Sequence, residues 1–383
     1  MSSYRWTILA LGTVAQASYS AVFLGIPVMA PQFRDEYGLS LTQTGVVLAA
    51  FSIGSVFTLL PWGLLADRVG ERGVLATGLA VASVALVLAA FAPGYSSLVL
   101  LFAAAGGAGA SVNAASGRAV MGWFTPAQRG LALGIRQTAL PLGGAAAAVA
   151  LPPIAAAGGT EAGLLVLAAA CLATAVAGAV GLREAPPDDD PLLGDVIDPL
   201  RDARMWRLAG GSGLIVLAQI SILAFAVLFL HGERGLSTAA AAGVFAAMQL
   251  AGAALRIVAG RWSDRVESRI SPLLKLTCGL AVALAVSAAL TSAPLALFVP
   301  AFFVAGALSQ SWNGLAFTAT AELAGRSRAG AALGFQQTAL AIASGFAPPV
   351  FALLVESTSW SVAFALAAAL PLAGAGLMRR IPA

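Results

Sequence analysis

The chain is short of charge. Its 383 residues carry 21 Lys or Arg and 17 Asp or Glu, a charged fraction of 10%, and Lys275 is the one lysine. An ordinary soluble domain carries about 25% charge, so a water-soluble globule is excluded. A disordered chain is polar and highly charged, which excludes disorder as well. The single histidine, His231, leaves no histidine cluster for a metal centre. Cys171 and Cys278 both lie in apolar runs and leave no disulfide framework. Neither a His-Glu-x-x-His string nor a Gly-x-Ser-x-Gly string occurs. The hydrolases that need them fall away. No metal, no other cofactor and no enzymatic activity is expected.

What is present is apolar. Hydrophobic residues make up 59% of the chain, and mean hydropathy is +0.90. At about 20 residues per spanning helix, the runs between charged clusters predict twelve spans. They are 7–30, 41–64, 74–92, 96–119, 130–157, 162–182, 207–230, 238–261, 272–292, 296–320, 329–355 and 359–378. The run after Arg5 has no convincing small-residue cleavage site, so it reads as a retained span rather than a signal peptide. The fold expected is an all-α polytopic membrane protein. The lipid bilayer is its first partner. No soluble basic domain remains to bind nucleic acid.

Charge placement orients the chain. Outside the spans nearly all arginines fall on the side of both termini, and only Arg34 and Arg234 fall on the other. The positive-inside rule puts both termini in the cytoplasm. The one long connection, 183–206, contains REAPPDDDPLLGDVIDPLRDAR and reads as a solvated linker. It separates residues 1–182 from 207–383, six spans from six.

The two halves repeat. Ala132-Leu133-Gly134-Ile135-Arg136-Gln137-Thr138-Ala139-Leu140 recurs 200 residues later as Ala332-Leu333-Gly334-Phe335-Gln336-Gln337-Thr338-Ala339-Leu340. Ser111, Asn113 and Gly106 match Ser311, Asn313 and Gly306 at the same offset, and Gly63, Asp67 and Arg68 match Gly260, Asp264 and Arg265 near an offset of 197. Chance matches in Ala-rich helices do not reproduce polar strings in order. Two six-helix bundles of parallel topology are expected, with a site near mid-membrane.

The string Gly63-Leu64-Leu65-Ala66-Asp67-Arg68-Val69-Gly70-Glu71-Arg72 after the second span, with its echo Gly260-Arg261-Trp262-Ser263-Asp264-Arg265 after the eighth, resembles the major facilitator superfamily of secondary transporters. The resemblance covers the whole chain. It implies two bundles rocking around a central cavity lined by helices 1, 4, 7 and 10 with 2, 5, 8 and 11. It also implies a gating role for Gly63, Asp67, Arg68, Gly70, Arg72, Gly260, Asp264 and Arg265. There, glycine permits close helix approach and an Asp-Arg pair forms a breakable charge latch. Glu71 stands where the family usually has a base. Two motifs of proton-driven antiporters are missing, since Ala103 precedes Gly107-Ala108-Gly109 and the fifth span has Leu140-Pro141. A plasma (cytoplasmic) membrane location and a monomeric functional unit follow from the resemblance.

Every acid falls in a loop or at a span end, so a buried-carboxylate proton relay is not expected. Two arginines are embedded. Arg136 lies about 9 Å into the fifth span and Arg256 about 8 Å into the eighth, at about 1.5 Å per residue. Each costs roughly 2.5–3.5 kcal/mol on insertion scales. Either they snorkel to water, or an incoming anion neutralises them through the guanidinium fork. Helix 8 of the superfamily's nitrate and organic-anion carriers is similar in this placement. Gln137, Gln337, Asn113, Asn313, Gln16, Tyr19, Gln219, Gln249 and Trp312 complete the candidate substrate site, with Asn113 and Asn313 set opposite each other by the repeat. Pro27, Pro31, Pro141, Pro152, Pro153, Pro348 and Pro349 are candidate kinks. The expected function is alternating-access transport of a small anion, a carboxylate or inorganic oxyanion, by exchange or facilitated diffusion. Efflux of an amphipathic drug-like compound is the alternative.

Overall fold

A computed structural model describes the backbone of residues 4–124, 126–183, 201–324 and 329–381, with side chains except at 67, 126–127, 129–131 and 329–331. Most of the linker therefore lies outside the described residues. The described chain is helical: α1 (Tyr4–Val28), a short helix Ala30–Tyr37, α2 (41–69), α3 (71–90), α4 (Tyr95–Trp123), α5 (126–157) and α6 (160–181). Then follow α7 (Ala203–Glu233), α8 (Thr238–Arg265), α9 (Ile270–Ala289), α10 (Leu295–Ala324), α11 (Ala329–Ser357) and α12 (Trp360–Met378).

By length and composition alone, 11 stretches can cross a membrane, one of them the 50-residue Ala132–Gly181. That stretch is two spans. Gly158 (φ −137°, ψ 19°) and Gly159 (φ 70°, ψ −173°) leave the helical region between α5 and α6. Twelve spans result. The turn between α2 and α3 lies at Gly70 (φ 80°, ψ 162°), a conformation that side-chain-bearing residues avoid. The motif's Gly63–Val69 segment therefore continues α2 as helix. Pro31 is likewise not a kink in the first span. It starts the separate helix Ala30–Tyr37, at a position where its missing N–H is no loss.

Local chemistry sets the other boundaries. Ser40 caps α2 by accepting from the Gln43 N–H at 3.1 Å, and the Gln43 side chain accepts from the Ser40 N–H at 2.9 Å. Ser359 caps α12 through the Val362 N–H at 3.3 Å.

Two compact units are present, one of residues 1–189 with 227–246 and one of 190–226 with 247–383. In the first, small residues let backbones touch. A Cβ at Gly106 on α4 would overlap the Phe51 carbonyl on α2, and one at Gly54 would overlap the Ala103 carbonyl. In the second, Gly211 on α7 faces the Gly374 carbonyl on α12, and Gly306 on α10 faces the Met248 side chain on α8. An aromatic group of Phe225, Phe351, Trp360 and Phe364 fills the space between α7, α11 and α12.

Candidate functional site

Each unit sets an arginine among neutral polar side chains, buried in the first and half-buried in the second. In the first unit Arg136, on α5, is 7% exposed. Its Nε donates to Ser116 Oγ on α4 at 2.9 Å, and its Nη2 donates to Gln16 Oε1 on α1 at 2.7 Å. No carboxylate lies within 4.0 Å of it among the described residues. The side chain does not snorkel. One turn beyond Gln16, the Tyr19 hydroxyl meets Ser55 Oγ at 3.1 Å, and Ser55 also donates to the Gly106 carbonyl at 2.9 Å. Asn113 stands beside the same tyrosine hydroxyl.

In the second unit, Gln310 on α10 is the hub. Arg256 Nε, from α8, donates to its backbone carbonyl at 2.6 Å, and Arg256 Nη2 reaches its side-chain carbonyl at 3.4 Å. Gln219 Nε2, from α7, donates to Gln310 Oε1 at 2.5 Å. Gln310 Nε2 in turn donates to Gln249 Oε1 on α8. The Trp312 indole N–H donates to Gln219 Oε1 at 3.1 Å. The cluster is rich in donors, and Gln249 Nε2 is buried with nothing to donate to. Nearby in sequence, Asn313 Oδ1 is buried without a donor.

An inner helix is broken in each unit, and the second break lies in the Arg256 cluster. α4 is interrupted at Ala110, between Tyr95–Gly109 and Ser111–Trp123, and α10 at Gln310 to Trp312, between Leu295–Ser309 and Asn313–Ala324. Breaks expose carbonyls that need donors. Thr58 and Trp62 supply them to Gly107 at 2.7 and 2.8 Å, and Arg256 supplies one to Gln310.

The structure thus gathers Arg136 with Gln16, and Tyr19 with Asn113. It also gathers Arg256, Gln219, Gln249 and Trp312. Gln337 is half-buried and stands outside these clusters, and Gln137 is half-buried one residue after Arg136. The repeat-related position that turns inward is one residue earlier: Gln336 accepts from Thr320 Oγ1 at 2.7 Å and donates to Ser212 Oγ at 3.2 Å. Gln310, Gln336 and Ser116 were missed. The signal for Gln310 was a glutamine next to the repeated Ser311, where the other half has Ala110.

The gating string is arranged differently from the expectation. Among the described residues a Cβ at Gly63 or Gly260 would meet nothing within 4 Å, so neither makes a close helix contact there. The Asp67 side chain lies outside the described residues. Asp264 pairs not with Arg265 but with Arg269 at 2.5 Å, and Arg269 also holds Glu322 on α10 at 3.0 Å. Burial lowers the Arg269 pKa, but hydrogen bonds to Asp264 and Glu322 outweigh it and hold the group above its ordinary value. Glu71 at the head of α3 pairs with Arg118 on α4 at 3.3 Å. Each unit therefore ties the head of its third helix to the tail of its fourth, with the charges exchanged.

Helices of this length and in this number, with the described acidic groups kept to their ends, define a multi-pass membrane protein. Comparison with known proteins is specific. The Major Facilitator Superfamily profile matches residues 10–344, and the chain belongs to that superfamily of transporters, which are not enzymes. It is 33% identical over 377 residues to an uncharacterized MFS-type transporter of Mycobacterium tuberculosis, covering 98% of this chain and 84% of the relative. It is 28% identical over 379 residues to the probable sulfoacetate transporter of Cupriavidus necator, covering 91% and 86%. The D-xylose-proton symporter crystal structure superposes with a TM-score of 0.81 at 16% identity, covering 100% of this chain and 98% of that one.

Proposed function

We propose that the protein is an alternating-access secondary transporter of a small anion, an organic carboxylate or inorganic oxyanion, working by exchange or facilitated diffusion. The observation that carries this reading is Arg136. Its guanidinium is 7% exposed and held by a glutamine and a serine, which orient it without neutralising it. A buried charge in that setting is costly, and an anion is the ligand that relieves the cost. Arg256 and the donor left over on Gln249 support the same polarity in the second unit. The probable sulfoacetate transporter among the relatives fits an anionic cargo. Described acids such as Glu36, Glu71, Glu161, Glu233, Asp264, Glu322 and Glu356 sit at helix ends, which supports transport without a buried-carboxylate relay. Charge placement supports both termini in the cytoplasm, and the superfamily resemblance supports a plasma-membrane location and a monomeric functional unit.

A thermal-stability screen in detergent with acetate, gluconate, nitrate, sulfate and methanesulfonate tests the reading, because a ligand of the folded state raises the unfolding midpoint. At least one anion is expected to stabilise the wild type, and Arg136→Gln and Arg256→Gln are expected to lose that shift. An undiminished shift in both variants would refute the assignment.

A further inference from the structure

The ends of α1, α4 and α6 form a cation–aromatic plate that the transport reading leaves unused. The Arg5 guanidinium stands 5.6 Å from the ring centroids of both Trp6 and Phe124, and that of Arg183 stands 4.2 Å over Tyr4. Tyr4 and Trp123 meet at 5.5 Å between centroids, as do Trp6 and Phe124. The plate is fixed to backbone: Tyr4 donates its hydroxyl to the Gly181 carbonyl at 2.7 Å, and the Trp123 indole donates to the Arg183 carbonyl at 3.1 Å.

Two features select an anionic ligand. Neither arginine has a carboxylate within 4.0 Å among the described residues. Arg5 places Nη1 on Gln128 Oε1 at 2.8 Å, while its Nε is buried with no acceptor. At the head of α7, by contrast, Arg204 is paired with Asp202 at 2.7 Å.

A third feature selects a lipid over a free ion. Leu172, Val176 and Val180 on α6 are 50%, 56% and 77% exposed. Their four-residue spacing sets them on one face, an apolar stripe about 12 Å long at 1.5 Å per residue that leads up to Arg183. An acyl chain covers such a stripe and a free ion does not. Aromatic residues at span ends are the usual companions of headgroups, and the guanidinium fork matches phosphate oxygens.

We propose that this plate binds the phosphodiester headgroup of an anionic phospholipid, with Arg5 and Arg183 on the phosphate and an acyl chain along Leu172, Val176 and Val180. The test uses the full chain in phosphatidylcholine nanodiscs with and without one-fifth phosphatidylglycerol. Phosphatidylglycerol is expected to raise the wild-type unfolding midpoint by roughly 3 °C. The Arg5→Gln/Arg183→Gln double variant is expected to lose that rise, while the charge-matched Arg379→Gln/Arg380→Gln variant keeps it. Inorganic phosphate at 10 mM in phosphatidylcholine is expected to leave the midpoint unchanged. A rise retained in the first double variant overturns the proposal. So does equal loss in both double variants, which marks diffuse surface charge, or a full rise with inorganic phosphate. Should the double variant fail to fold, Arg183→Gln alone decides, since its side chain is exposed and its backbone contact to Trp123 survives.

Discussion

Arg256 and Gln310 are joined twice across α8 and α10, through the Gln310 backbone carbonyl at 2.6 Å and its side-chain carbonyl at 3.4 Å. The backbone contact lies at the helix break and supports it. The side-chain contact is long, and in the proposed function it is the one an anion displaces.

Gln310→Glu therefore puts a fixed carboxylate in front of the guanidinium, where it competes with any external anion. Anion-induced thermal shift and uptake are expected to fall at least about tenfold, equivalent to about 1.4 kcal/mol. Gln310→Met, similar in length but without an acceptor, is expected to lose less than about threefold of binding. Equal losses in the two variants would mean that Gln310 only holds the helices together.

Arg136→Gln separates stability from transport. Interhelical hydrogen bonds in membranes average about 0.6 kcal/mol, so removing the contacts to Gln16 and Ser116 is expected to cost about 1 kcal/mol in unfolding measurements. Uptake is expected to fall more than about tenfold. Arg136→Lys keeps the charge but not the fork that reaches both partners, and is expected to recover only part of it.

How much of this was legible beforehand depended on symmetry. The spans, the two halves and the two embedded arginines follow from hydropathy, the repeat and the scarcity of charge. Reading the repeat for shared residues led to Gln137 and Gln337, yet the inward positions are Arg136 and Gln336, where the halves differ. Gln310 was hidden for the same reason, because its counterpart is Ala110. The Arg269 clasp was hidden because Asp264 has Arg265 beside it in sequence, and consecutive helical residues point in different directions. The site's asymmetry is carried by side-chain direction, which a repeat does not encode.

The exchanged clasps make a charge-swap prediction. Glu71–Arg118 is a partly exposed pair, worth about 0–1 kcal/mol. Arg118→Glu alone is expected to lower the uptake rate by placing two carboxylates together. Glu71→Arg with Arg118→Glu reproduces the polarity of Arg269 and Glu322 and is expected to restore the rate. Initial-rate uptake at fixed substrate checks this, and failure of the double variant to exceed the single one counts against the clasp.

Small-residue contacts predict unequal tolerance at repeat-related glycines. Gly106→Val drives a side chain into the Phe51 backbone, whereas Gly306→Val meets the flexible end of Met248. Overpacking costs about 1–3 kcal/mol; Gly106→Val is expected at or above the upper end and Gly306→Val at the lower. Unfolding midpoints of the two variants in one detergent measure the difference.

The most direct test of the central claim is counterflow in proteoliposomes loaded with unlabelled anion and clamped without a pH gradient. The account predicts accumulation of the labelled anion by the wild type and its loss, more than about tenfold, in Arg136→Gln and in Arg256→Gln. Uptake that strictly requires a proton gradient, or that survives replacement of both arginines, contradicts it.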